Sequence, residues 1–580
     1  MKKFSYLLLA TFFAYSCEQP ETTLLIKEGS DLSVSSPIES ELAKGVADTF
    51  RIHLEKGALA SGFADQRTVD VVVKVFGPEN QLLGEFDNPA RGPEPFQLAS
   101  EGGLYKIVVS PFEDGEGEYV MVLERVEAIA NTKEGKIDQL MKFALGPDEA
   151  VPGATVAVVE DGKVTFSKGY GYANLEYDIK NTPTTIFHVA SVSKQFTGFA
   201  IAMLADQGKI SMDDDIRKYL PEMHDFGEKI TLNHLVHHTS GLRDQWSLLA
   251  LAGWRLDDVI TREQVLRLIF KQTELNFKPG EEMLYCNTGF TLLAEIVSRV
   301  TGQSFAEWTK ANMFDPLGMK NTLFYDDHEK IVKGRAYSYY KNDHGELKKS
   351  VLSYANVGAT SLFTTVEDLA LWAVNFENVS VGNDNVMKMM DQRYILNKGD
   401  TMGYGFGQGI GNHKGLVNKT HGGADAGYRT FINRFPEQRF SVIVFSNLAS
   451  FNPGNIAYQI ADIYLKDQLT EIPAQPLEAP PADDQPKEDF DASSVTLSEY
   501  TGRFYSPELE TTYMLEVVND TLVAHHQRHD DIKLTIKQKD EFSSSAWWTG
   551  NINFTRNSSN TINGFKVNAG RVRNVAFEKQ

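Results

Sequence analysis

Between residues 129 and 468 the hydrophobic pattern changes period twice, and this limits the possible folds more than any other feature of the chain. Residues 154–159 form a short apolar run of strand length. Asp161-Gly162 is a hairpin turn, and Val164-Thr165-Phe166 is the return strand. Longer helical patterns follow at 259–270 and 290–300. Strand patterns come back at Thr430-Phe431-Ile432 and Ser441-Val442-Ile443-Val444-Phe445. Strands first, helices in the middle and strands last predict one sheet built from both ends of the domain. The helices would pack on it as an α+β unit.

Both flanks read as β. Residues 22–128 hold runs such as Val71-Val72-Val73-Lys74-Val75-Phe76 and Tyr105-Lys106-Ile107-Val108-Val109, bounded by Gly77-Pro78 and Ser110-Pro111. They predict an accessory β-sandwich. Residues 469–490 carry Pro473, Pro476, Pro480, Pro481 and Pro486 among Asp and Glu, a composition that stays extended as a linker. Residues 491–580 return to β patterning with Tyr500, Phe504, Tyr513, Trp547, Trp548 and Phe554, which predicts a small antiparallel barrel or sandwich. A length of 580 residues fits several domains.

The first 17 residues read as an export signal. Lys2 and Lys3 precede an apolar stretch at 7–13, and Ser16-Cys17 is a small-residue exit. Ala14-Tyr15-Ser16-Cys17 resembles a bacterial lipoprotein signal that would lipidate Cys17; ordinary secretory cleavage is the alternative. The expected location is the bacterial cell envelope, either periplasmic or lipid-anchored, with secretion as the alternative. A net charge of −21 argues against nucleic acid and against a basic membrane-surface patch. Membrane contact is therefore expected only through that anchor. The two cysteines are Cys17 and Cys286. With Cys17 lipidated or removed, no intramolecular disulfide can form.

Three elements of the central region carry chemistry. Ser191-Val192-Ser193-Lys194 directly precedes a helical apolar run, Phe196, Phe199, Ala200, Met203 and Leu204. With a helix starting at Ser191, the Lys194 amine lies one turn along from the hydroxyl. A desolvated, partly neutral lysine can take the serine proton, and the helix start offers N–H groups to an oxyanion. Read alone, the pair is better explained as an N-cap at Ser191 with Lys194 exposed, and the companion motifs decide otherwise. Tyr285-Cys286-Asn287 stands before the helical pattern at Phe290. The tyrosine can shuttle a proton and Asn287 can bridge lysine and substrate, whereas Cys286 points away. His421-Gly422-Gly423, followed by Ala424, marks a strand edge where Gly423 leaves room for substrate and an N–H completes an oxyanion hole.

Together and in this order, these elements resemble the serine β-lactamase and penicillin-binding-protein-like hydrolases, of which Ser-x-x-Lys is a known signature. The nearest branch has Tyr-x-Asn as its second motif, as in class C β-lactamases, D-aminopeptidases and related esterases. Leu235-Val236-His237-His238-Thr239-Ser240-Gly241-Leu242 and Asp315-Pro316-Leu317-Gly318-Met319 extend the resemblance, which covers about 130–465. It implies a β-lactamase-like antiparallel sheet with packed helices. Ser191 would be the acylated nucleophile, Lys194 its base and Tyr285 the proton carrier. Asn287 and His421 would contact substrate, and the N–H groups of Ser191 and Ala424 would form the oxyanion hole. No metal or cofactor is implied.

The segment ending Gly570-Arg571-Val572-Arg573-Asn574-Val575 is similar to the lipocalin-like domain attached to such hydrolases, and is expected to be dispensable for the chemistry. Many members have Lys-Thr-Gly as third motif. Aligning Lys419-Thr420 with it would put His421 where glycine is needed, so the register His421-Gly422-Gly423 is the better one. A mostly neutral histidine weakens a carboxylate anchor. That favours an ester or D-amino-acid peptide over an efficiently hydrolysed β-lactam. A non-catalytic penicillin-recognition or scaffold protein is the reading from another class. His237 and His238 read as structural, and His525, His526 and His529 as part of the C-terminal domain.

Overall fold

The computed structural model describes residues 25–27, 29–87, 92–146, 150–342, 344–470 and 490–580. The expected signal at 1–17, with Cys17, lies outside the described residues, as does most of the 469–490 segment. The chain forms two compact units, residues 1–139 and 140–580.

The first unit is a two-sheet sandwich. Its strands are β1 (Leu25–Lys27), β2 (Ile38–Leu42), β3 (Val46–Leu54), β4 (Ala58–Gln66), β5 (Val71–Phe76), β6 (Leu82–Phe86), β7 (Gly92–Ala99), β8 (Gly103–Pro111) and β9 (Gly117–Ala128). One sheet has the order β1-β3-β8-β5-β6 and the other β2-β9-β4-β7. Phe50, Val73, Phe96, Ile107 and Met121 fill the space between them. Their alternation with exposed residues is what a strand with one buried face requires.

The second unit is organised by a seven-stranded antiparallel sheet. Its strands are β10 (Ala154–Glu160), β11 (Lys163–Tyr170), β12 (Tyr404–Gly405), β13 (Gln408–His413), β14 (Leu416–Asp425), β15 (Tyr428–Phe435) and β16 (Phe440–Ser446). The order is β11-β10-β16-β15-β14-β13-β12. The first strand therefore pairs directly with the last, Ala154 opposite Ser446, as the two-ended pattern predicts. Every residue of β16 is buried, because packed elements cover both of its faces.

The helices that matter for the site are α1 (Ser193–Asp206), α2 (Gln245–Leu251), α3 (Arg262–Phe270), α4 (Asn287–Thr301), α5 (Val366–Asn375) and α6 (Pro453–Leu465). α5 and α6 pack on the sheet, and α1 packs against α4. The pattern at 259–270 starts three residues before its helix. Thr261 is the N-cap of α3 in a reciprocal capping box with Gln264, which fixes the true start.

The same unit carries a closed eight-stranded antiparallel barrel. It comprises β17 (Gly502–Ser506), β18 (Thr511–Val518), β19 (Thr521–His526), β20 (His529–Gln538), β21 (Glu541–Ser543), β22 (Asn551–Arg556), β23 (Ile562–Ala569) and β24 (Val572–Lys579). Phe504, Phe542, Phe554, Phe565 and Phe577 fill its interior, which keeps a void of only about 10 Å³. This barrel is a packed core and not a ligand chamber.

Arg243 bolts barrel to sheet domain. Its side chain is 1% exposed and pairs with Glu508 at 2.6 Å. It also donates to the carbonyls of Arg573 and Asn574, at 3.0 and 3.2 Å. A buried guanidinium with these partners would be left uncompensated if the barrel were removed. His526 and His529 are spent at the same junction. His526 bonds Thr511 at 2.8 Å, and His529 bonds the Ala250 carbonyl at 2.7 Å.

Candidate active site

Ser191 does not start the α-helix. It is the middle residue of a 3-10 turn, Ala190–Val192, and α1 begins at Ser193. Ala190 sits at φ +48°, a left-handed conformation that costs a residue with a Cβ. The surroundings hold it there. Ser193 Oγ donates to the Ala190 carbonyl at 2.5 Å and accepts from Leu362 N at 3.1 Å. Ala190 N donates to His188 Nδ1 at 3.2 Å, and Thr430 Oγ1 donates to the Val189 carbonyl at 2.9 Å. Ser193, one residue off the register that faces Lys194, thus braces the turn that presents Ser191.

Lys194 is fully buried. Its Nζ lies 3.1 Å from Ser191 Oγ, 2.8 Å from Asn287 Oδ1 and 2.7 Å from the Ala359 carbonyl. Burial pushes its pKa down to about 7, against the opposing pull of Asp425 and Asp244. A neutral amine has two hydrogens and one lone pair. The two oxygens that can only accept, on Asn287 and Ala359, take the hydrogens. The lone pair is then left facing the Ser191 hydroxyl.

Asn287 opens α4, and Asp244 fixes its orientation. Asp244 Oδ2 accepts from Asn287 N at 2.7 Å and from Asn287 Nδ2 at 2.8 Å. The amide expected to reach substrate is therefore bonded at both ends by protein groups, and it also positions Lys194. Cys286 is buried away from the cleft, with its thiol donating to the Leu242 carbonyl at 3.3 Å.

Tyr285 faces Ser191, and among the described residues its hydroxyl has no hydrogen bond of normal geometry. Burial raises its pKa well above that of a free phenol; Ser191 and Arg571 only partly offset this. It is a proton donor at neutral pH rather than a phenolate. Its ring lies 4.3 Å from the buried His238 ring, with Lys194 Nζ 4.9 Å and Arg571 Cζ 5.0 Å from its own centroid. His238, read from the sequence as part of a helix end, is the floor under this tyrosine.

The third element lies on β14. Beyond Thr420, β13 no longer pairs with β14, so among the described residues His421–Asp425 presents an unpaired strand edge. Ser191, Tyr285, Asn287, Gly423, Ala424 and Arg571 share a cavity of about 510 Å³ along it. His421 also lines this cavity, but both ring nitrogens are occupied. Nδ1 donates to the Gly422 carbonyl at 2.7 Å, and Nε2 accepts from Tyr404 at 3.1 Å. Burial, with Lys194 nearby, lowers its pKa to about 3, so it is neutral. Lys419 is turned away into an ion pair with Asp391.

The space at Gly423 is filled by protein, which corrects the expectation that substrate approaches there. A Cβ on Gly423 would lie 2.2 Å from the Val189 carbonyl oxygen and 3.1 Å from Ala190 Cβ. The glycine lets the Ser191 turn pack against β14.

Sequence reasoning missed four groups. Asp244 carries a legible signal, since it caps α2 by accepting from Trp246 N at 3.0 Å. Its hold on Asn287 has no local signature. Asp425 accepts from Thr360 and sits 3.8 Å from the buried, neutral His188. Tyr404 reaches His421 from β12. Arg571 comes from the barrel, at the tip of the two-residue turn between β23 and β24, where Ala569 pairs with Val572. Among the described residues its guanidinium makes no hydrogen bond, and its nearest carboxylate is Asp244 at 4.0 Å. A residue of the barrel, beyond the 130–465 resemblance, thus lines the cavity that holds Ser191.

The Beta-lactamase family model matches residues 134–464, more than half of the chain. A D-aminopeptidase from Gluconobacter oxydans is 28% identical over 326 residues, 56% of this chain and 60% of that protein. Protein flp from Staphylococcus aureus (strain N315) is 29% identical over 337 residues, 56% of this chain and 64% of that protein. The chain thus spans less than two thirds of the length of these curated relatives. The octameric penicillin-binding protein homologue from Pyrococcus abyssi superposes with a TM-score of 0.52 at 24% identity, covering 77% of this chain and 100% of that one, which shows the fold. With the family model spanning both the sheet assembled from its two ends and the Ser191–Lys194 turn, the chain belongs to the beta-lactamase family of serine hydrolases.

Proposed function

We propose that the chain hydrolyses an ester, an amide or a D-amino-acid peptide through an acyl-enzyme on Ser191. The observation that carries this is the lone-pair geometry of Lys194, 3.1 Å from Ser191 Oγ in a fully buried position. Lys194 takes the hydroxyl proton as Oγ attacks the carbonyl carbon. The N–H groups of Ser191 and Ala424 hold the oxyanion. Tyr285, a neutral phenol beside Ser191, passes a proton to the leaving group as its bond to the carbonyl breaks. Water then adds to the acyl carbon and gives its proton to the Tyr285 phenolate, while the Lys194 ammonium returns its proton to Ser191 Oγ as the acyl–oxygen bond breaks. Similarity to a D-aminopeptidase supports the D-amino-acid class. The lysines and apolar run before Cys17 support export with a lipid anchor, so that the hydrolase acts in the cell envelope.

Ser191→Ala is expected to abolish covalent labelling by a fluorophosphonate probe and turnover of p-nitrophenyl esters, with an unchanged melting temperature. Labelling within a few-fold of wild type would remove Ser191 from the mechanism. An unlabelled, folded wild type would favour the scaffold reading.

One observation favours a second substrate class. The fixed positive charge that His421 cannot supply enters the cleft on Arg571. A carboxylate-bearing substrate, β-lactams included, then has a cation within reach of the Ser191 cavity. Arg571→Ala is expected to lower kcat/KM for a carboxylate-bearing substrate about five- to tenfold relative to a neutral ester, a modest effect because the group is solvent-accessible. Equal effects on both substrates would show that Arg571 does not read charge.

A further inference from the structure

The catalytic cavity does not end at Arg571. A second chamber of about 750 Å³ continues from it, and Trp246, Ala424, Asp425, Arg429 and Arg571 line both. We propose that this second chamber is a substrate subsite for a bulky apolar group, an aromatic ring or a branched aliphatic side chain, carried on the Asp425 side of the scissile carbonyl. The proposal rests on the reading of Ser191 as nucleophile.

Four apolar side chains on its walls are partly exposed in a way that a ligand would relieve. Leu256, Tyr340, Val351 and Trp547 line the chamber with 45%, 43%, 45% and 51% of their surface open. They converge from the sheet domain and the barrel on one concave space. The walls are also rigid. Trp246 packs on Tyr354 with centroids 4.9 Å apart. Trp547 stands edge-on to Trp548 at 5.6 Å, and Trp548 packs on His529 at 4.8 Å. His529 is tied to the Ala250 carbonyl of the sheet domain, so the exposed indole is held in place before any ligand arrives.

Charges on the walls already have partners. Lys349 pairs with Glu176 at 2.9 Å, and Asp257 pairs with Arg255 at 3.3 Å. Arg429 donates to the Ala426 and Tyr428 carbonyls. Arg571, over the Tyr285 ring and without a guanidinium hydrogen bond among the described residues, stands at the neck, and a cation there disfavours a substrate ammonium at that point. The geometry therefore fits a chain that runs along the β14 edge, passes Arg571 with its carbonyl or carboxylate, and buries an apolar group between Trp547 and Tyr340.

The test uses the full chain and two p-nitrophenyl or aryl-ester series, one varied in the acyl group and one in the leaving group. In one series, phenyl-bearing members are expected to exceed methyl-bearing members in kcat/KM by at least tenfold. Trp547→Ala and Tyr340→Ala should each cut that ratio about tenfold by raising KM, with unchanged melting temperatures. No discrimination in either series, or a ratio untouched by both variants, overturns the subsite. Fluorophosphonate labelling of the wild type reports separately on Ser191. Should labelling fail, calorimetric binding of N-phenylacetyl-D-alanine to the intact chain decides: binding weakened by Trp547→Ala supports the chamber, and absent or unweakened binding overturns it.

Discussion

Replacing Lys194 with methionine should lower kcat/KM for a p-nitrophenyl ester by a hundredfold or more, the usual cost of losing a general base. Methionine keeps most of the volume, so the melting temperature should fall only modestly. Lys194→Arg should fail as badly, because a guanidinium is never a base near neutrality. The wild-type pH profile follows from the same group. With Lys194 as the proposed base, the competent form is the unprotonated amine, and burial lowers its pKa to about 7. Activity should therefore fall about tenfold per pH unit below that value and level off above it. His421 should not add a limb, since it is neutral down to about pH 3. A flat profile from pH 5 to 8, or one rising toward acid, would mean that Lys194 is not the base.

Much of this architecture was legible because it depends on local periodicity. The short apolar runs of 154–159 and 441–445, bounded by turn residues, describe strands whatever their partners. Their order along the chain implied that first and last would meet. The Ser191–Lys194 pair was legible because a helical turn is short range. What was not legible depends on groups far apart in sequence. Asp244 and Asn287 are 43 residues apart, and Thr360 and Asp425 are 65 apart. No pattern in either segment foretells the pairing.

Arg571 was hidden for a different reason. A hairpin tip on a small barrel reads as a solvent-exposed turn, and only the Arg243 junction decides that this tip faces the cleft. Residues 243 and 244 join the two effects. Arg243 holds the barrel through Glu508, and its neighbour Asp244 holds Asn287 against Lys194. The site and its accessory barrel are mechanically one object. Restoring a fixed charge by His421→Lys would also misfire, because that position is buried beside Lys194 and a second ammonium there would oppose the first.

Gly423→Val should abolish acylation by every probe, small or bulky. The side chain cannot be placed without moving the Val189 carbonyl, 2.2 Å from an added Cβ, or Thr430 Oγ1, 2.4 Å from it. Those two atoms are hydrogen-bonded to each other at 2.9 Å, and Val192 N also donates to the same carbonyl at 3.1 Å. Any relief therefore displaces the strained Ala190 and, with it, Ser191. Even Gly423→Ala should slow fluorophosphonate labelling more than a hundredfold, since the 3.1 Å approach to Ala190 Cβ leaves no alternative direction. Gly422→Ala is the comparison. Its added Cβ first meets the Phe431 ring at 3.4 Å, an ordinary contact, and the loss should be far smaller. Labelling rates with one small and one bulky fluorophosphonate, alongside melting temperatures, separate the two roles a glycine could have here. A loss confined to the bulky probe would mean that Gly423 makes room for substrate. A loss common to both, in a protein that still melts cooperatively, would mean that it makes room for the nucleophile turn.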